Sequence, residues 1–433
     1  MTDKLKNTAQ NALRALADAG AERAQCTVNR SEKREFNMDG GEFSLMRTLF
    51  DSMLSMTAYK NDCRGVVRTN DLSDESIART AADCLAAASS ATPDTAWELA
   101  PAAPPQSFTR GPIEPDLDLL FERTRELAET VKQRYPKIII EQLIVSHYVS
   151  HSIWASSLGS EYELNSAEYN LSIMFSAHEG ERSSSFFGCG FSTYTLDRPF
   201  IEYASLAEDL ANVERQIDTI AFDGKVEGTL ILPPSCLGEF LYYAIENFAG
   251  DSALLEGTGI WRDKLGKAVA DERLTVSISP LDPRIVRGSL LTGEGYLSEN
   301  YDVIRDGVLE RFPISAYVAN KTGNRRAPNS SFSVIIEAGD DKLEDIIKNT
   351  KNGIIVGRFS GGSPASNGDF SGVAKNSFIV RDGKIVGAAS ETMISGNLSD
   401  MLGNLIAISD TVVCDGSSVL PTIAFGGITI SGK

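Results

Sequence analysis

Residues 138–178 read IIIEQLIVSHYVSHSIWASSLGSEYELNSAEYNLSIMFSAH, and the fold can be worked out from this stretch in both directions. Residues 138–145 are mostly apolar and β-branched, and the apolar positions after residue 160 recur at intervals of about two. They are Tyr162, Leu164, Tyr169, Leu171 and Ile173. Both patterns are typical of β-strands. The stretch therefore predicts two long strands, 138–158 and 161–178, which turn at Gly159-Ser160.

Apolar residues at helical spacing predict three helices around these strands. The helices cover 3–19, 116–134 and 203–220, and Pro136 ends the second of them. Ser73 precedes two acidic residues, which predicts the start of a fourth helix. The serine oxygen accepts a free amide there, and the acids face the positive end of the helix.

Strands and one proline-rich stretch lie between these helices. Residues 24–68 predict strands that turn at Gly40-Gly41 and again at 60–62. Residues 90–115 contain six prolines among Ala, Ser and Thr. That composition predicts an extended linker or a surface excursion.

A domain boundary is predicted at Asp223-Gly224-Lys225, which breaks the helical pattern before it. It divides an N-terminal domain of sheets with flanking helices, residues 1–222, from a C-terminal domain, residues 223–433. The second domain is rich in Gly, Ser, Val and Ile, which is typical of a curved, mostly β structure. The fold class is therefore α+β.

The C-terminal domain begins with a strand, 228–232, and a helix, 237–248. Asp-Gly pairs at 306–307 and 382–383 lie between apolar residues, which predicts hairpins with type I′ turns. A short helix is predicted near the end, over 399–408.

Composition and charge narrow the class of protein. The 433 residues include 41 basic and 59 acidic side chains, for a net charge of −18, so we expect no direct binding to nucleic acid. The N-terminus, MTDKLKNTAQ, is polar, and no run approaches the roughly 20 apolar residues of a membrane helix. The six cysteines show no C-x-x-C spacing, which favours reduced thiols in a cytoplasmic protein.

The three histidines, His147, His151 and His178, are the first candidates for metal ligands, because a catalytic zinc needs about three protein ligands. His147 and His151 form H-x-x-x-H, which on a helix would place both on one face. The stretch is predicted to be a strand, however, and a rise of about 3.3 Å per residue separates them by roughly 13 Å. One zinc ion cannot bind both, and no H-E-x-x-H occurs. We therefore predict no metal site in this chain.

Other catalytic motifs are also missing. No G-x-S-x-G occurs, and Cys414, in a late Gly/Asp-rich loop, is a candidate for a redox or ligand role. The stretch GGSPASNGDFS at 361–371 lacks the Lys-Ser/Thr of a nucleotide-binding loop. A surface loop that fixes a sheet corner or contacts a peptide is favoured. The candidate peptide-binding residues are Gly361, Gly362, Ser363, Asn367 and Asp369, and no catalytic residue is predicted.

Residues 361–371 also carry a resemblance to a known family. With SGNLSDML at 395–402 and PTIAFGGITISG at 421–432, they resemble the C-terminal signatures of the TldD/PmbA family, and the PmbA (TldE) branch is the closer match. DCRGVVRTNDLS at 62–73 is similar to the family's strand, G-x-x-x-T turn and following helix. Residues 156–159, Ser-Ser-Leu-Gly, lie where the family usually has Asn-Ser-x-Gly. The resemblance covers nearly the whole chain.

The resemblance implies a peptidase complex, with the chemistry in another chain. TldD-type members carry an H-E-x-x-x-H helix and a later cysteine and are metallopeptidases, whereas PmbA/TldE members lack the motif and pair with TldD. The heteromer degrades unfolded peptides and matures peptide antibiotics, and older names call it a modulator of DNA gyrase. The corresponding helix here, LGEFLYYAIE at 237–246, contains Glu239 and Glu246 but no histidine. Cys414 lies near the family's late cysteine, in a context that does not match the metal-binding version.

The expected function is that of a TldE-like, non-metal-binding subunit of a cytoplasmic peptidase that acts on unfolded peptides. Its expected partner is a TldD-type family member, which would hold the zinc, or a second copy of this chain as a homodimer in its absence. No cofactor is expected in this chain, and it is not expected to be catalytic alone. One alternative is a self-sufficient metallopeptidase with atypical ligands, such as His178 with Cys189 or Asp residues. Another is a homodimeric binding protein that modulates DNA gyrase or a toxin.

Overall fold

The computed structural model describes residues 2–432. Helices lie between the strands of two sheets, the first formed by the N-terminal half of the chain and the second by the C-terminal half. The helices are α1 (Thr2–Ala19), α2 (Asp74–Ser90), α3 (Leu117–Arg134), α4 (Leu206–Glu214), α5 (Pro234–Ala249), α6 (Asp251–Leu255), α7 (Ala316–Thr322), α8 (Leu343–Lys348) and α9 (Leu398–Gly403). The strands of the first sheet are β1 (Arg23–Asp39), β2 (Glu42–Lys60), β3 (Cys63–Thr69), β4 (Gln106–Arg110), β5 (Ile138–Ser156), β6 (Glu161–Glu179), β7 (Arg182–Ser183) and β8 (Phe187–Thr193). The strands of the second sheet are β9 (Thr219–Ala221), β10 (Lys225–Leu232), β11 (Val276–Ile278), β12 (Tyr301–Arg305), β13 (Val308–Leu309), β14 (Val334–Ile335), β15 (Asn352–Gly361), β16 (Asp369–Arg381), β17 (Lys384–Ser390), β18 (Thr392–Asn397), β19 (Leu405–Cys414) and β20 (Val419–Ser431).

The two long strands predicted from residues 138–178 are β5 and β6, at the centre of the first sheet. They pair antiparallel, with Ser150 opposite Ser166. The strand order is β3-β2-β1-β5-β6-β4, and β7 and β8 also pair with β6. Residues 24–68 form β1, β2 and β3 as predicted, with the first turn at Gly40-Gly41, where φ is positive for both glycines.

Helices cover one face of this sheet because their apolar sides are buried against its strands. Leu5 and Leu16 of α1 and Ile77 of α2 are buried against β1, β2 and the end of β5. Leu120 and Leu127 of α3 pack further along the sheet, together with α4. Ser73 accepts the amide of Ser76, which confirms the predicted helix start. Within residues 2–432, no helix covers the middle of the other face of the sheet, which we call the open face.

The second sheet closes on itself in part. β16 pairs with β18, β18 with β20, β20 with β10, β10 with β15, and β15 again with β16. The Asp-Gly pairs at 306–307 and 382–383 have positive φ at both residues, which confirms the type I′ hairpin prediction. The fold is α+β, with a mostly β C-terminal region, as predicted.

Two predicted helices were too long, for the same physical reason. The helix predicted over 203–220 is α4, which ends at Glu214, because 219–221 pair with β17 as β9. The helix predicted over 399–408 is α9, which ends at Gly403, because the residues from Leu405 onward pair with β20. In each case backbone pairing with a sheet overrides an apolar spacing that also suits a helix.

The proline-rich stretch 90–115 is extended, but it is not a free linker. Gln106–Arg110 forms β4, parallel to β6. Trp97 stacks on Tyr317 of α7 with ring centroids 3.9 Å apart, and the Glu98 carboxylate accepts a hydrogen bond from Tyr296 Oη at 2.7 Å. These contacts join the stretch to residues of the second half. The domain boundary at 222/223 stays a prediction.

Candidate functional site

Helix α5 lies at the position where the sequence predicted a helix without metal ligands. Pro233 and Pro234 start it, since a proline in the first turn loses no helical hydrogen bond. Its apolar side packs on the second sheet, where the Phe240 ring meets Phe359 and Phe370 edge-on at 5.3 and 5.2 Å. The burial of Phe240 and its neighbours fixes which side of α5 faces outward.

The outward side of α5, which we call the α5 face, is polar and acidic. It consists of Glu239, Tyr242, Tyr243, Glu246 and Asn247. Glu246 is half-buried, and burial, with Asp251 nearby, raises the pKa of its carboxyl above the usual range. The Tyr242 ring contacts Phe332 edge-on at 5.1 Å. The face therefore combines two carboxyl groups with aromatic surface.

The Gly-rich loop, residues 361–368, lies beside the α5 face. Asn247 Nδ2 donates to the carbonyl oxygen of Pro364 at 3.1 Å, which joins the helix to the loop. The predicted peptide-binding residues all fall on or next to this loop and are exposed; they are Gly361, Gly362, Ser363, Asn367 and Asp369. The structure therefore groups them, and it places them against the helix that the family resemblance singled out.

Two of these five residues, Asn367 and Asp369, are held by side-chain hydrogen bonds, one of which comes from Asn397 at the end of β18. Asn367 Nδ2 donates to Asp369 Oδ2 at 2.8 Å, and Asn397 Nδ2 donates to Asp369 Oδ1 at 2.9 Å. The bond from Asn397, followed by that from Asn367, lowers the pKa of the Asp369 carboxyl. Gly368 has φ +94°, and a Cβ there would lie 2.7 Å from the Phe248 ring. Asn367 and Asp369 thus shape the loop, and Gly361, Gly362 and Ser363 form its outer part.

The three histidines do not converge. His147 and His151 lie on β5, as predicted; the ring of His147 bonds to the Pro112 carbonyl oxygen at 2.7 Å, and that of His151 to Asn165 Oδ1 at 2.7 Å. His178, at the end of β6, is bonded to Ser176 Oγ at 2.9 Å. Burial lowers the pKa of His147. Each ring has a structural partner of its own.

His178 and Cys189, the alternative ligand pair, do not lie close together, and Cys414 has a structural contact of its own. Cys189 lies opposite Ile173, five residues from His178 along β6, which is roughly 16 Å at strand rise. Cys414 donates to the Arg284 carbonyl oxygen at 3.2 Å, and burial raises its pKa, which keeps it a thiol. Among residues 2–432, no group of three or more His, Cys, Asp or Glu side chains is placed to hold a metal ion.

The open face of the first sheet forms a trough of about 890 Å³ that the sequence analysis missed. Its floor is made by side chains of β5, β6 and β8, and Arg287 and Asp415 of the second half lie at one side. Arg287 Nε lies 3.5 Å from Glu168 Oε1. Burial raises the pKa of the Glu168 carboxyl, and the nearby Arg287 charge offsets this only in part. Alternate positions of 142–148 and 168–174 are polar except at Ile144 and Met174, and this pattern was the available signal. Which strands pair side by side could not be read from that signal.

Comparison with known proteins identifies a family domain in the second half of the chain. The sequence profile of the PmbA/TldA metallopeptidase C-terminal domain matches residues 225–432. Metalloprotease PmbA of Escherichia coli O157:H7 is 24% identical over 431 residues, covering 95% of this chain and 94% of that protein. The second half of the chain therefore carries the C-terminal domain of the PmbA/TldD family. The zinc metalloprotease TldD homolog of Saccharolobus solfataricus is 25% identical over 309 residues, covering 66% of this chain and 67% of that protein.

Two solved structures share the fold of this chain. TldE from Thermococcus kodakarensis superimposes with a TM-score of 0.84 at 18% identity, covering 98% of this chain and 100% of that one. A protein from Bacteroides thetaiotaomicron, named for a role in modulating DNA gyrase, gives a TM-score of 0.87 at 23% identity and covers 100% of both chains.

The zinc of a PmbA/TldD family peptidase does not fit the residues of α5. Glu239 and Glu246 are seven residues apart, which at 1.5 Å per residue separates them by about 10 Å along the helix. When the glutamate of the H-E-x-x-x-H motif is aligned with Glu239, the two histidine positions fall on Gly238 and Tyr243. The glycine has no side-chain donor atom, and tyrosine is not among the usual zinc ligands. The α5 face therefore lacks the donor set that would hold the ion.

Proposed function

We propose that this chain is the non-metal-binding, TldE-like subunit of a cytoplasmic peptidase complex in which a TldD-type family member holds the zinc. The observation that carries the proposal is the donor set of α5. Two carboxylates about 10 Å apart cannot bind one ion together, and zinc needs three protein ligands and an open position to activate water. The chemical step would therefore take place on the other chain.

The Gly-rich loop and the edge of β15 would bind peptide. Among the strands of residues 2–432, β15 pairs with β10 only at Gly353–Ile355, whereas its pairing with β16 continues to Gly361. The outer edge of its last residues is therefore open to an added strand. An extended peptide that pairs with such an edge is held by its backbone, whatever its sequence. Gly361 and Gly362 carry no side chains, so a peptide backbone can approach them closely.

The trough on the first sheet would be one wall of the space that an unfolded substrate occupies. Its lining combines Lys33 and Arg287 with Glu168 and Asp415, together with serine, asparagine and apolar side chains. A surface of mixed charge and mixed polarity favours no single residue type. Such a wall suits a subunit that admits peptides of varied sequence.

Reconstitution tests the proposal. The chain alone with zinc, a TldD-type relative alone, and the two mixed are each given an unfolded peptide. We expect cleavage by the mixture to exceed that of the relative alone, and no chelator-sensitive cleavage by this chain alone. Robust, chelator-sensitive cleavage by the lone chain would overturn the proposal.

A variant of the loop tests the peptide contact within the same mixture. A Cβ at Gly362 meets no atom within 4 Å, and φ at Gly362 is not in the left-handed region, so Gly362→Val should fold normally. We expect it to slow peptide cleavage at unchanged complex formation. Gly403→Val, at an equally open position on α9, is the matched control and should cleave at the original rate. Equal rates for both variants would remove the loop from the peptide path.

A further inference from the structure

A cavity of about 220 Å³ lies where α4 of the first half meets the second sheet, and we call it the α4 cavity. Its apolar lining comes from both halves of the chain: Phe187 and Val213 from the first, and Ile347, Ile355 and Phe378 from the second. An apolar cavity of about 150 Å³ is already large enough to bind benzene. The α4 cavity therefore has room for an aromatic ring that carries a substituent.

Two buried amide side chains also line the α4 cavity. Gln216 is 5% exposed and Asn376 is 9% exposed. Asn376 Nδ2 donates to Gln216 Oε1 at 3.0 Å, so the Nε2 group of Gln216 is the end left to donate to a bound molecule. Sites that select a small ligand usually place a few polar groups of this kind among apolar side chains. The α4 cavity has that composition.

The lining of the α4 cavity has no net charge at pH 6. Glu208 and Arg215 are both exposed and carry opposite charges. Asp209 is buried and accepts a hydrogen bond from Ser205 Oγ at 2.8 Å. Burial raises the pKa of Asp209 to about 7, so at pH 6 this carboxyl is mainly protonated. A charged group without an opposite partner is costly to bury, and the α4 cavity therefore favours a neutral ligand.

The backbone is strained at two places around this space. Asn376 has φ +50° although it lies inside β16, and the pairing of β15 with β16 skips Gly357 and Asn376. A Cβ at Gly357 would lie 2.3 Å from the Asn376 carbonyl oxygen, so this position requires glycine. Ala204, just before α4, has φ +49°. Strained residues of this kind concentrate at functional sites, which supports a binding role for the α4 cavity.

The α4 cavity adjoins the trough on the open face of the first sheet. A further cavity of about 190 Å³ lies between them. It shares Asp209 and Ser235 with the α4 cavity, and Cys189 and Phe191 with the trough. A side chain of a peptide in the trough can therefore reach the α4 cavity through this passage.

We propose that the α4 cavity binds the side chain of a tyrosine in a peptide that lies in the trough. The ring would pack against Phe187 and Phe378, and its hydroxyl, which both donates and accepts, suits the amides of Gln216 and Asn376. Phenylalanine would leave the Gln216 donor unpaired, and a charged side chain would find no opposite charge inside. The inference rests on the proposed function in one respect, namely that peptide occupies the trough. It adds a preference at one position to a wall that otherwise accepts varied sequences.

Binding of short peptides to the isolated chain tests the choice of side chain. Capped peptides Gly-Gly-X-Gly-Gly, in which X is tyrosine, phenylalanine or lysine, would be titrated at pH 6 by calorimetry. We expect the tyrosine peptide to bind at least about fivefold more tightly than the phenylalanine peptide, which is the effect of one hydrogen bond, and the lysine peptide to bind most weakly. Equal affinities for tyrosine and phenylalanine, or no binding of the tyrosine peptide, would overturn the inference.

Two variants test the place of binding. Ser235→Trp puts a large ring at an exposed position of the passage, in the first turn of α5, and should abolish binding of the tyrosine peptide. Ser252→Trp, at an exposed position in the first turn of α6, is the matched control and should bind normally. Gln216→Met removes the amide at similar size, so we expect it to bind the tyrosine and phenylalanine peptides about equally. Normal binding by Ser235→Trp, or an unchanged preference for tyrosine in Gln216→Met, would contradict the assignment.

Free p-cresol, which has the same ring and hydroxyl as the tyrosine side chain, separates a peptide subsite from a site for a small molecule. We expect the tyrosine peptide to bind more tightly than p-cresol, because its backbone also contacts the trough. Equal or tighter binding of p-cresol would overturn the assignment to a peptide. These readouts are independent of cleavage by the reconstituted mixture. Tyrosine-selective binding without any gain in cleavage would refute the proposed function alone, and a gain in cleavage without tyrosine-selective binding would refute this inference alone.

Discussion

Burial of Asp209 predicts a loss of stability as the pH rises. The side chain lies in α4, is 9% exposed, and accepts a hydrogen bond from Ser205 Oγ at 2.8 Å. Burial raises its pKa from the ordinary value of 3.8 to about 7. Between these two values the unfolded chain has released the proton while the folded chain retains it. The free energy of unfolding therefore falls by about 1.36 kcal/mol per pH unit, or about 4 kcal/mol in total, and levels off above pH 7.

The substitution Asp209→Asn removes this dependence, because asparagine does not ionise. Since the pI is near 4.7, the accessible range begins at about pH 5.5, where roughly 2 kcal/mol of the effect remains. Guanidinium unfolding at pH 5.5, 7 and 8.5 should show the variant gaining about 2 kcal/mol relative to the original chain by pH 7, with no further gain at pH 8.5. Glu202→Gln, at an exposed position nearby, should follow the original chain. Parallel pH profiles for Asp209→Asn and the original chain would refute the reasoning.

Two further predictions concern the packing that supports the candidate site. Gly368→Ala should destabilise the chain by about 1–3 kcal/mol, because φ is +94° and the new Cβ would clash with Phe248; Gly362→Ala in the same loop should be nearly neutral, and equal unfolding midpoints would contradict this. Phe240→Ala should cost about 3–5 kcal/mol, because it empties the space between Phe359 and Phe370. Tyr242→Ala, on the exposed side of α5, should cost about 1 kcal/mol or less in the same unfolding assay.

Local patterns in the sequence were sufficient to predict those helices, strands and turns whose conformation depends on their own residues. The strands β5 and β6 follow from a period of two, and the hairpins at 306–307 and 382–383 follow from residues that tolerate positive φ. The helix predicted over 203–220 was too long because β9 pairs with β17, which lies far away in the sequence. The stretch 90–115 looked like a linker because the partner of Trp97, Tyr317, is more than 200 residues away.

Some features of the candidate site can be predicted from the sequence, and others depend on contacts that only the fold creates. The absence of zinc ligands from α5 depends on residue type alone and can be read from the sequence. The roles of Asn367 and Asp369 within the Gly-rich loop depend on Asn397, which only the folded chain brings close. The trough depends on strand pairing, since its floor forms only where β5, β6 and β8 lie side by side. No sequence period carries that information.

Bound zinc in the isolated chain is the most direct test of the account. The purified chain would be dialysed against buffer with trace zinc, and metal and protein would then be quantified together by mass spectrometry. We expect far less than one zinc per chain, at the level of a control in which Glu239 and Glu246 are both changed to Gln. One tightly held zinc per chain, lost in that control, would contradict the central claim that another polypeptide supplies the metal.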